Sequence, residues 1–119
     1  MFNDIIVQNF SNPTHATELL QSTDTIELGN PVCGDRIKVQ LNIQNGLIQQ
    51  AAYAAWGCAT SLATGNVFCK KIQGAAVVDI RNLSKEDIDK MLGELEPAQH
   101  HCLEMLHNLF AKFQQITHV

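Results

Sequence analysis

From Arg36 to Gln44 the chain alternates without a break: Ile37, Val39, Leu41 and Ile43 stand between Arg36, Lys38, Gln40, Asn42 and Gln44. Side chains along a strand point to opposite faces in turn, so this segment is a strand with one apolar and one polar face. Asn45-Gly46 follows at once, and that pair tolerates the positive φ of both central positions of a type I′ turn. The chain therefore returns antiparallel over Leu47 to about Trp56, where Ala51 and Tyr53 fit one face less cleanly. A ribbon with one apolar face needs a cover, and that need governs how the remaining residues are used.

The cover reads as helical. Phe2, Ile5, Ile6 and Phe10 fall at helical spacing over residues 2–10, and Ser11-Asn12-Pro13 ends that helix because proline disfavours helix in the residue before it. A polar stretch without usable periodicity runs to Ser22, and Thr25 to Leu28 suits an edge strand. A helix is expected from about Thr60 to Gln73, closed by Gly74, with Gly65 inside it costing about 1 kcal/mol against alanine. Ser84 is placed to cap the next helix, with Asp87 at its third position, Leu83 stapled to Ile88, and Gly93 as its end. The last helix is expected from about Pro97 to Ile116, its inner stripe Leu103, Leu106, Phe110 and Phe113, widened by Met105 and Leu109. Strands segregated from helices predict an α+β fold: a small antiparallel three-stranded sheet packed against about four helices. At 119 residues, with no repeat, linker or low-complexity tract, residues 1–119 read as a single domain.

Eight basic residues against twelve acidic ones give a net charge of −4 with no basic patch, which argues against a nucleic-acid partner. No apolar run approaches the roughly 18–20 residues of a membrane span. Met1-Phe2-Asn3-Asp4-Ile5-Ile6-Val7 has no basic region of the kind that opens a secretion signal, so the expected compartment is the reducing cytoplasm. There the four cysteines at 33, 58, 69 and 102 are thiols or metal ligands rather than disulfides. The chain contains no C-x-x-C, H-E-x-x-H, P-loop, G-x-S-x-G or dinucleotide fingerprint.

Three of the cysteines sit at the edges of expected elements. Cys33 lies in Asn30-Pro31-Val32-Cys33-Gly34-Asp35 before the long strand, Cys58 follows Trp56-Gly57, and Cys102 follows His100-His101 at the start of the last helix. Cys33 stands twelve residues before Asn45 and Cys58 twelve after Gly46, which puts both thiols at the end of the ribbon away from the turn. Gly34 and Gly57 remove bulk beside them. Helix N-termini beside Cys58 and near Cys102 would favour thiolate over thiol. Asp35 is an oxygen ligand or a base acting on the thiols, and against that stands a turn-capping role. For any one cysteine the plain reading is a small buried hydrophobe, which suits mid-helix Cys69 best. His15, His100 and His118 read as solvated, His107 as satisfied on its helix face, and Trp56 as a core or rim aromatic.

Taken together, Cys33-Gly34-Asp35, Gly57-Cys58-Ala59 and His101-Cys102 resemble the IscU/NifU-N-terminal/SufU family of iron–sulfur cluster assembly scaffolds. Phe10-Ser11-Asn12-Pro13 is similar to the family's aromatic-x-Asn-Pro at the end of its first helix. The spacings of 25 and 44 residues between the three cysteines are similar to the IscU arrangement, whereas Asn30 to Ile37 looks more like SufU. The resemblance implies an IscU/SufE-like fold in which Cys33, Cys58 and Cys102 supply thiolates, with Asp35 and His101 as candidate fourth ligands. It implies a transient [2Fe–2S] cluster, iron, or Zn²⁺ at the same place. The implied partners are a cysteine desulfurase delivering persulfide sulfur, with Cys102 as the candidate acceptor, and apo-proteins that receive the cluster. The role it implies is a non-enzymatic scaffold, monomeric or homodimeric. Two alternatives are a zinc-dependent sulfur acceptor of the SufU kind and a structural zinc domain. The family's Leu-Pro-Pro-Val-Lys, read by an Hsp70 chaperone, is here Leu95-Glu96-Pro97-Ala98-Gln99, which keeps one leucine and one proline and loses the lysine, so the resemblance gives that partnership little support. The serine-rich run after the second cysteine is here Thr60-Ser61-Leu62-Ala63-Thr64-Gly65-Asn66.

Overall fold

The computed structural model describes residues 2–30 and 34–116. Along the chain come α1 (Asp4–Ser11), β1 (Asp24–Asn30), β2 (Asp35–Gln44), β3 (Leu47–Trp56), α2 (Ala59–Ile72), α3 (Val77–Arg81), α4 (Lys85–Asp89), a 3₁₀ turn (Pro97–Gln99) and α5 (His100–Gln114). The three strands form one antiparallel sheet in the order β1-β2-β3. This is the expected α+β architecture, with α3 as a short helix the periodicity did not announce.

The β2–β3 ribbon contains a bulge. Asn42 pairs with Gln50 but Ile43 pairs with Ile48, so one residue of β3 has no opposite number. Its consequence is a change of phase: the inner face of β3 runs through Ile48 and then through Ala51, Tyr53 and Ala55. That is why Ala51 and Tyr53 fit a simple alternation poorly. It also shifts the register by one, so that Arg36 pairs with Trp56.

The inner face of the sheet (Ile37, Val39, Leu41, Ile43, Ile48) is covered by α2 and α5. Phe68 of α2 meets Phe110 of α5 edge-on, with ring centroids 4.8 Å apart. The buried stripe of α5 is Cys102, Met105, Leu106, Leu109, Phe110 and Phe113, and Leu103 lies at its margin. Gly65 is explained by contact rather than propensity, since a Cβ there would lie 2.5 Å from the Tyr53 ring.

Helix α1 departs from expectation, because Phe2 and Phe10 are about half exposed and its buried residues are Ile6 and Asn9. Asn3 caps it by accepting from the Ile6 amide, and the Asn3 side-chain nitrogen donates to the carbonyls of Leu92 and Glu94. Asn66 of α2 donates to Asn9 and accepts from the His15 amide, while the His15 carbonyl accepts from the Tyr53 amide on the outer edge of β3. His15 is therefore a half-buried stitch along that edge, not a freely solvated residue. Among the described residues no helix is long and apolar enough to cross a membrane.

Candidate metal centre

β2 begins where β3 ends, at the edge away from the Asn45-Gly46 turn, and the shifted register brings Asp35 against Gly57. A Cβ on Gly57 would lie 2.0 Å from Asp35 Oδ1 and 3.2 Å from its Cα, and the residue's φ of +141° is one that side chains rarely adopt. Glycine here is what lets a buried carboxylate fold over the strand end. The chain then passes through Cys58, the N-cap residue of α2, whose extended backbone turns its exposed sulfur toward the first helical turn.

The other half of the site comes from α5. His101 and Cys102 are neighbours, and in regular helix their side chains diverge by about 100°. A late or irregular helix start would bring both to one point, but regular α-helix begins at His100, ahead of both, after a 3₁₀ turn in which Glu96 and Gln99 cap each other. The two converge instead through the reach of the His101 imidazole, which bends back toward that turn. The carbonyl of Ala98, inside that turn, accepts a hydrogen bond from His101 Nδ1 at 3.0 Å. A carbonyl only accepts, so Nδ1 carries the proton and Nε2 faces the site. Cys102 Sγ, fully buried, lies 3.3 Å from that nitrogen.

His101 Nε2 is 3.0 Å from Asp35 Oδ2 and 3.9 Å from Cys58 Sγ. One donor atom from each of Asp35, Cys58, His101 and Cys102 can be chosen so that all lie within 4.8 Å of one another. Tetrahedral zinc with bonds of about 2.0–2.3 Å sets its donors roughly 3.3–3.8 Å apart. The four residues therefore fit such an ion with adjustments well under the length of a bond. Two sulfurs, an imidazole and a carboxylate also suit zinc or iron chemically better than magnesium or calcium.

The thiols differ. Burial raises the Cys58 thiol, but its hydrogen-bond contacts with Ser61, at side chain and main chain, and with His101 outweigh it, and the group titrates below its ordinary value. His101 titrates above its own: burial opposes the shift, and the hydrogen bond and charge of Cys58, the Ala98 carbonyl and Asp35 produce it. Burial pushes the Cys102 thiol up to about 12, which its contact with the Ser61 hydroxyl only partly offsets. The expected thiolate at Cys102 is thus corrected: with no cation bound, the helix start nearby does not overcome the loss of water.

Of the other singled-out residues, Cys33 lies outside the described residues, as does His118. Cys69 is fully buried within α2, His107 Nε2 meets Asp89 at 2.6 Å away from the site, and exposed His100 contacts the Leu95 carbonyl. Trp56 is a rim residue under the Arg36 guanidinium, 5.2 Å from its ring centroid. Ser61 escaped the sequence reading, although its hydroxyl touches Asp35, Cys58 and Cys102. Its position three residues into the helix from the N-cap Cys58, on the face turned to the strand end, was the available signal.

A two-layer α+β domain gathering sulfur, nitrogen and oxygen donors at the open end of a β-ribbon defines a class: small domains equipped to handle a metal ion or metal cluster. Comparison with known proteins makes this particular. Residues 1–114 match the family model described as the NifU-like N terminal domain, and the chain belongs to that family. It is similar to the iron-sulfur cluster assembly scaffold protein IscU of Aquifex aeolicus (strain VF5), 29% identical over 112 residues, covering 89% of this chain and 71% of that protein. It is also similar to the zinc-dependent sulfurtransferase SufU of Bacillus subtilis (strain 168), 24% identical over 94 residues, covering 79% and 63%. In fold it matches the N-terminal NifU-like protein of Brucella abortus with a TM-score of 0.63 at 16% identity, covering 95% and 80%. The SufU comparison overturns the expectation of a strictly non-enzymatic role, since a relative of similar sequence is named as a transferase.

Proposed function

We propose that this chain is an iron–sulfur cluster assembly scaffold that accepts sulfur and carries a [2Fe–2S] cluster as cargo on Cys33, Cys58 and Cys102, with Asp35 and His101 completing the donor set. The observation that carries the reading is the convergence of Asp35, Cys58, His101 and Cys102, from three distant parts of the chain, at one strand end. Mixed sulfur, oxygen and nitrogen ligation holds a cluster less firmly than four thiolates, which suits cargo that must be released to apo-proteins. Zn²⁺ takes four of the same donors when no cluster is present.

Sulfur would come as persulfide from a cysteine desulfurase. Cys58 is open to solvent and titrates low, which supports a sulfur-accepting activity of the SufU kind beginning there. Cys102 accepts sulfur after the site opens or a metal holds it as thiolate. Anaerobic reconstitution with iron, cysteine and a desulfurase, read by visible absorption, tests the proposal. Cys58→Ser, Cys33→Ser and Cys102→Ser abolish the cluster band and Cys69→Ser retains it; a cluster that survives Cys58→Ser refutes the assignment.

A further inference from the structure

Ser61 has no accessible surface, yet its Oγ lies 2.7 Å from Asp35 Oδ2, 3.3 Å from Cys58 Sγ, 3.4 Å from Cys102 Sγ and 4.0 Å from Met105 Sδ. A hydroxyl has one proton to give. The shortest of these contacts is to a carboxylate oxygen, which accepts, so the proton goes to Asp35 and Oγ turns its lone pairs to the sulfurs. Asp35 is itself buried, and the same Oδ2 meets His101 Nε2 at 3.0 Å. Gly57 leaves room for Oδ1 on the other side. When a cation takes His101 Nε2, any proton there must leave, and Ser61 is then the one donor among these contacts still holding Oδ2.

We propose that Ser61 is the positioning residue that fixes Asp35 as the oxygen donor of the metal site, and so decides whether the carboxylate joins the thiolates and the imidazole in the donor set. The inference rests on the reading of the site as metal-binding, but concerns a residue that need not touch the ion. A buried serine that merely fills its place would contribute to folding and leave the ligand set alone.

Cobalt(II) titration of the metal-free protein separates these roles, because thiolate-to-cobalt charge transfer reports the sulfurs while the ligand-field bands report the whole donor set. Ser61→Ala is expected to keep the charge-transfer absorption, shift the ligand-field bands toward those of Asp35→Asn, and weaken binding roughly 10- to 100-fold. Ser61→Thr, which retains the hydroxyl, restores the wild-type bands. Adding Ser61→Ala to Asp35→Asn changes nothing further, because the carboxylate it positions is already gone. Wild-type bands and affinity in Ser61→Ala, or an equal loss in both backgrounds, overturn the inference. If circular dichroism shows that Ser61→Ala does not fold, Ser61→Gly removes the same hydroxyl and is held to the same outcomes. A wild-type protein that binds no cobalt refutes the metal site itself, an outcome distinct from cobalt binding that ignores Ser61.

Discussion

Two thiols only a few ångströms from the same serine oxygen behave as different reagents because burial dominates at one and hydrogen bonds at the other. Cys58 is exposed and titrates low; Cys102 is sealed and titrates high. Since the thiolate is the nucleophile, a lower titration point means more of it at neutral pH. Brief alkylation with iodoacetamide at pH 7 should therefore label Cys58 at least roughly ten times faster than Cys102, with Cys69 inert. Peptide mass spectrometry checks the order, and prior loading with zinc should slow the labelling of Cys58. Labelling of Cys102 first would show that the site opens far more than its packing implies. Gly57→Ala should cost about 1–3 kcal/mol from its backbone conformation alone, before the collision with Asp35 is counted, and should weaken zinc binding as the carboxylate is pushed away. Urea unfolding and a zinc titration read the two effects separately. At this scale the sequence showed the residues that carry distinctive chemistry, Asp35, Cys58, His101 and Cys102, because such side chains are scarce and fall at element edges. Ser61 was hidden, since a serine early in a helix is commonplace and its importance lies wholly in what it touches.

The elements were readable where local physics acts alone. Alternation and Asn45-Gly46 announced the ribbon, and Ser84 with Asp87 forms the expected reciprocal cap of α4. Ser84→Ala should lower stability by about 1 kcal/mol, with no effect on metal binding, as thermal unfolding and a zinc titration would show. Features set by tertiary contact were not readable. The bulge after Asn42 is forced by which side chains the helices cover, and α3 is too short for periodicity to reveal. Gly65 makes the difference quantitative: propensity alone says that alanine gains about 1 kcal/mol, whereas overpacking a core typically costs about 1–3 kcal/mol. A Cβ 2.5 Å from the Tyr53 ring puts the balance on the side of loss, so Gly65→Ala should destabilise. In a Tyr53→Leu background the same change should cost less or become favourable, which a double-mutant cycle in urea would measure. The segment Leu95 to Gln99 gains a structural role by the same logic, because its capped 3₁₀ turn supplies the carbonyl that aims His101.

For the whole molecule, one group gives opposite pH dependences to the metal-free and metal-bound states. In the metal-free fold His101 titrates above its ordinary value, so the folded state holds its proton more tightly than the unfolded chain does. That contribution is fully present below the ordinary histidine value near 6.5 and is lost as pH rises through the raised folded value. Zinc reverses the sign. It needs His101 Nε2 bare and the sulfurs as thiolates, so protons compete with it, and its stabilisation of the fold shrinks as pH falls. Zinc at a fixed concentration a hundredfold above its dissociation constant at neutral pH adds about 2.7 kcal/mol there, and the increment should grow toward the alkaline end of a pH 6–9 series. Thermal unfolding with chelator and with zinc should accordingly diverge as pH rises and converge as it falls. His101→Gln should remove the part of the chelator series that falls with rising pH, leaving the opposite contribution of the lowered Cys58 thiol, and reduce the zinc increment at every pH. Parallel curves for the wild type would mean that metal and protons do not meet at His101. The ion would then have to lie elsewhere than at the end of the β2–β3 ribbon.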